Sequence, residues 1–108
     1  MIINETTKYR KDVKKKRIDK HKNKEFDRLN NILSFIESKD NLKDVLSDSF
    51  SKIYRIEQKK GNLKKVFTAH INDKMRLYMK PIGEYPYNLV EIVEIVLEEV
   101  DDHHYGEG

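Results

Sequence analysis

The hydrophobic positions of this 108-residue chain change their period about halfway along. In the first half they recur with the 3.6-residue spacing of helices; in the second they alternate, as on strands. "EFDRLNNILSFIES" is the clearest helical stretch, with Phe26, Leu29, Ile32, Leu33 and Ile36 on one face. Upstream, "MIINE" at residues 1–5 suits a short strand. "TTKYRKDVKKKRIDKHKNK" then predicts a helix over about residues 7–21. Thr6 and Thr7 are both acceptable N-caps. Tyr9 and Val13 form a narrow apolar stripe, and long lysine stems cover the rest. "DNLKDVLSDSF" adds a short helical turn, with Asp40 or Asn41 as cap and Leu42, Val45 and Leu46 inward.

"SKIYRIEQKKGNLKKVFTAHINDKMRLYMKP" predicts three strands, at residues 53–58, 66–71 and 75–80. The turn "KKGN" holds Gly61, the first glycine of the chain, where a hairpin requires positive φ. Asn72 and Asp73 form the tip of the next turn. In the third strand Met75, Leu77 and Met79 alternate with Arg76, Tyr78 and Lys80, which predicts one buried and one exposed face. After the loop "PIGEYPYN", the segment "LVEIVEIVLEEVDD" has a spacing that also suits a helix. Its Val and Ile content favours a central strand buried on both faces. The order predicts one α+β domain over residues 1–108. Two N-terminal helices pack on an antiparallel sheet of four to five strands.

Charged residues make up 38% of the chain and hydrophobic ones 37%, which implies a small core under a heavily charged surface. The absence of cysteine excludes disulfides and thiolate metal sites, and it fits a reducing compartment. No apolar run approaches the roughly 20 residues that span a bilayer. The opening "MIINETTKYRK" has no apolar leader core. A soluble cytoplasmic protein with no membrane partner is expected. The net charge of +3 conceals an asymmetry: residues 1–24 hold ten Lys and Arg against three acids, whereas residues 81–108 hold eight acids and no Lys or Arg. Such a split fits a polyanion-facing part beside a part that shields it, or a basic helix packed near an acidic strand. Lys14, Lys15, Lys16 and Arg17 are candidate RNA contacts, or else a solvated helix face.

The chain closes with "EVDDHHYGEG". Adjacent residues on a strand point to opposite faces, so His103 and His104 do not readily share one ion, and no metal site is expected.

Taken in order, "KYRKDVKKK", "YRIEQKKGNLKKVFTAHINDKMRLYMKP" and "VEIVLEEVDDHH" resemble the RelE/ParE superfamily of bacterial toxins, in particular its HigB-like and YafQ-like branches. The likeness covers nearly the whole chain. It implies a type II toxin that cuts mRNA on the ribosome without metal or cofactor and is silenced by a cognate antitoxin. It also implies attack by the ribose 2′-oxygen on the adjacent phosphate. That chemistry needs help in losing the 2′ proton, cations on the phosphorane oxygens and a proton for the departing 5′-oxygen. By position, Lys60 matches the Lys of the family's Lys-Gly turn and takes substrate positioning. Arg76 matches the Arg after the hairpin and takes charge stabilisation. His103 matches the terminal histidine and takes proton transfer. His70 matches a YafQ-like strand histidine, a second candidate for that role. Tyr78 shares the face of Arg76 and is a candidate for base stacking. This chain departs from the family at Asp102, where a tyrosine is the rule. That departure keeps open an inert or ParE-like protein-binding member of the fold, and the Lys-rich first helix keeps open a small basic nucleic-acid-binding module.

Overall fold

A computed structural model describes residues 1–18 and 23–102. The chain opens with β1 (Ile2–Glu5) and α1 (Thr7–Lys15). Thr6 caps α1, its Oγ1 accepting the Tyr9 N–H at 3.0 Å. The helix stops at Lys15 rather than near residue 21, because Arg17 adopts a φ of 60° and turns the chain. The Arg17 N–H donates to the Lys14 carbonyl and the Ile18 N–H to that of Val13, both at 3.1 Å. This pair of bonds is a Schellman motif, and Ile18 just beyond it is buried. The rest of the expected helix, residues 19–22, lies outside the described residues.

α2 (Lys24–Glu37) is capped by Asn23, carries Glu25 and Asp27 in its first turn, and buries Leu29, Ile32 and Ile36. The expected single helical turn after it is two short helices, α3 (Leu42–Ser47) and α4 (Ser49–Ile53), capped by Asn41 and Asp48. α4 ends in a second Schellman motif: Arg55 has φ of 52°, its N–H meets the Lys52 carbonyl, and the Ile56 N–H meets that of Ser51. This turn displaces the strand expected at residues 53–58, of which only β2 (Glu57–Gln58) is extended.

β3 (Phe67–His70), β4 (Arg76–Pro81) and β5 (Glu94–Asp101) complete a five-stranded sheet of order β1-β5-β4-β3-β2. β1 runs parallel to β5 and the other pairs are antiparallel, so the expected antiparallel sheet gains one parallel pair. The last strand is central, as its composition suggested, but residues Leu89–Glu91 form a 3-10 turn before it. Only one of its faces is fully buried. A bulge beside Tyr78 and Met79 lets Ile95, Leu97 and Val100 all turn inward across the two glutamates Glu98 and Glu99. The helices cover that inward face; the opposite one carries carboxylates that stay near water.

α1 lies along β5 where β1 has ended. Thr6 Oγ1 reaches the Leu97 and Glu98 carbonyls, and the Val100 N–H donates to Asp12 Oδ2 at 3.0 Å. Asp12 is buried and also receives Lys8 Nζ at 3.0 Å. These side chains satisfy backbone groups that a neighbouring strand would otherwise take. Among the described residues, no helix is long and apolar enough to cross a membrane.

Candidate functional site

Alternation along β3 and β4 places His70 and Arg76 directly opposite one another, and Asp101 of β5 continues the same rung. Cross-strand neighbours of this kind hold their Cβ atoms about 5 Å apart on one face of the sheet. Two residues along, Thr68, Tyr78 and Glu99 form the next rung, with Glu57 of β2 beside Thr68. The face therefore offers an imidazole, a guanidinium and a phenol within reach of one ligand, flanked by carboxylates.

The end of β3 is fixed from the helical side. The His70 N–H donates to the Tyr54 carbonyl at 2.8 Å. Arg28 of α2 donates from Nε to the His70 carbonyl at 3.0 Å and from Nη2 to the Ile53 carbonyl at 2.8 Å. Its guanidinium also lies 4.8 Å from the centre of the Tyr54 ring. Arg28 thus ties the start of the site to the end of α4, where the second Schellman turn presents Arg55. Burial holds the His70 imidazole below its ordinary value, and the charges of Arg76, Arg55 and Arg28 push it the same way against Glu57. A half-buried histidine among three guanidinium groups stays neutral at neutral pH and can accept a proton.

The remaining sequence candidates are dispersed. Lys60 is exposed in the turn before the 3-10 segment Gly61–Leu63, at the opposite end of β3. The four residue steps from Val66 to His70 alone cover roughly 13 Å of strand. Lys14, Lys15 and Arg17 are exposed at the end of α1. Lys16 is instead largely covered and pairs with Asp102 at 3.5 Å. Tyr78 is partly exposed, one rung from Arg76. His103, with His104 and Tyr105, lies outside the described residues. Among the described residues, no group of three or more His, Asp and Glu is placed to hold a metal ion. Arg28 and Arg55 were not singled out by sequence. Arg28 reads as one more polar position of an amphipathic helix, and Arg55 owes its position to a left-handed turn usually signalled by glycine.

No protein-family model matches this chain, and no curated protein sequence matches it. Solved structures do share its fold. The toxin–antitoxin complex DinJ-YafQ of E. coli contains a chain 20% identical to this one, with a TM-score of 0.60 over 98% of this chain and 96% of that one. A copper-bound mutant toxin from Helicobacter pylori gives a TM-score of 0.63 at 16% identity, covering 95% and 94%. A YoeB/ParE toxin from Agrobacterium tumefaciens gives 0.62 at 12% identity, covering 96% and 100%. The chain has a RelE-like toxin fold, as its motifs anticipated.

Proposed function

We propose that this protein is the toxin of a type II toxin–antitoxin pair and acts in the cytoplasm as a ribosome-dependent mRNA endoribonuclease. The observation that carries the reading is the rung pairing His70 with Arg76, ringed by Arg28 and Arg55, on a fold shared with known toxins. Neutral His70 accepts the proton of the ribose 2′-hydroxyl as its oxygen attacks the adjacent phosphorus. Arg76 stabilises the charge gathering on the phosphorane oxygens. His103 supplies the proton that the departing 5′-oxygen takes. Tyr78 offers a ring to the base beside the scissile phosphate. Lys60 stands too far along β3 for the chemistry and takes a binding role. A cognate antitoxin is the expected protein partner, as DinJ is found with YafQ.

A second reading has one specific observation in its favour. Asp101 sits across from Arg76, Glu99 from Tyr78, and Asp102 stands where a tyrosine is usual. Carboxylates beside a phosphate site oppose RNA binding and favour an inert, protein-binding member of the same fold. Cleavage of a defined mRNA on programmed ribosomes, mapped by primer extension, decides between the two. Discrete cuts in the A-site codon are expected from the wild type. Arg76→Ala is expected to slow them about 10²–10³-fold, and His70→Gln or His103→Ala about 10²–10⁴-fold. Well-folded wild-type protein that leaves the message intact would remove the nuclease reading.

A further inference from the structure

The turn at residues 59–65, "KKGNLKK", contains Lys59, Lys60, Lys64 and Lys65 and no acid. Gly61, with φ of 66°, bends it tightly. Lys60, Lys64 and Lys65 are exposed, and among the described residues none of the four ammonium groups is held in an ion pair. Beside the turn stands a second loop. Tyr87 Oη donates to the Lys65 carbonyl at 2.7 Å, and its ring packs against Phe67 at 6.3 Å. Tyr87 meets Tyr85 edge to face at 5.5 Å, and Lys64 Nζ lies 5.2 Å from the centre of the Tyr85 ring. Tyr85 is thus a partly exposed ring supported by Tyr87, with Lys64 Nζ over it and Glu84 as its one acidic neighbour in the loop.

We propose that this lysine turn and Tyr85 form a second contact for single-stranded RNA, separate from the His70–Arg76 rung. Single strands expose flat base faces and closely spaced phosphates together, which a supported ring beside exposed lysines matches. A duplex hides its base faces and offers nothing to the ring. The turn and the rung lie at the two ends of β3, separated by roughly 13 Å of strand, with β2 as the sheet edge beside them. The contact rests on the nuclease reading only for the source of its RNA, the message being cut. It gives Lys60 a role in holding that message a few nucleotides from the cleaved bond.

The test is fluorescence anisotropy of the full chain with a labelled 2′-O-methyl single-stranded RNA, which binds but lacks the attacking oxygen. Tyr85→Ala is expected to weaken binding about 5- to 150-fold, and Tyr85→Phe to leave it near wild type. The double variant Lys64→Ala, Lys65→Ala is expected to reduce the slope of log affinity against log salt by about 1.4. Thermal unfolding of each variant controls for folding, which these surface positions should leave intact. Wild-type binding by every variant, no binding by the wild type, or capture of the protein by phosphatidylserine vesicles without competition from RNA would each overturn the proposal. Ribosomal cleavage measured in parallel separates the two readings. Cleavage with binding indifferent to Tyr85 and the lysines sinks this contact alone, whereas no cleavage with binding that depends on them sinks the nuclease alone.

Discussion

At His70, burial and three guanidinium groups act on one imidazole in the same direction. The neutral form is favoured, and that is the form a general base requires. The acid limb of cleavage should therefore lie below about pH 6.5, the ordinary histidine value. A pH profile of single-turnover cleavage checks this, and His70→Gln should remove the acid limb. Stability follows with the same sign. Between the lowered folded pKa and the ordinary value, the unfolded chain binds more protons than the folded one. The contribution of neutral His70 to stability is thus complete above about pH 6.5 and is lost as the pH falls through the folded value. His70 and Arg76 were picked out in the sequence by their match to a family pattern, and strand pairing places the two on one rung. Arg28 and Arg55 were not, since their relation to His70 is made by tertiary packing of α2 and α4 against the end of β3.

At the scale of elements, two arginines mark where pattern reading goes astray. Arg17 and Arg55 both take the left-handed position of a Schellman motif, each followed by a buried isoleucine. Without a glycine to announce the turn, the first helix read too long and the segment after the second read as strand. The physical signal present was the isoleucine after the turn, whose burial repays an unfavourable backbone. Arg17→Gly should raise stability by about 0.5–1 kcal/mol by relieving that backbone, measured as the midpoint of urea unfolding. A lower midpoint would mean that the Arg17 side chain holds more than the turn. α1 and β5 are also joined by a buried carboxylate. Asp12→Ala strands the Val100 N–H in the interior and should cost about 1–3 kcal/mol, with the same denaturation series as the readout. A loss near zero would show that water replaces Asp12 freely.

Over the whole molecule, the charge asymmetry turns out to be partly internal. Lys8 pairs with Glu99 and Lys16 with Asp102, so the basic first helix lies against the acidic last strand. The fold class and the central place of the last strand were readable from the shift of period and from the run of Val and Ile. The parallel pairing of the first strand with the last was not, because neither segment alone says which edge it will meet. That pairing governs how the chain is made. Among the described residues β5 is the sole bridge between β1 and the block of β4, β3 and β2, and it follows all of them in the sequence. Until it emerges, the nascent polypeptide has two separate pieces of sheet and no shared middle, and long-range pairings of this kind form late. A chain ended after Val93 should show no cooperative thermal transition by circular dichroism; a sharp one would mean that the block folds without its centre. For a protein proposed to attack translating ribosomes, the order of synthesis is a safeguard: the sheet that carries the proposed site stays incomplete until its central strand has left the ribosome.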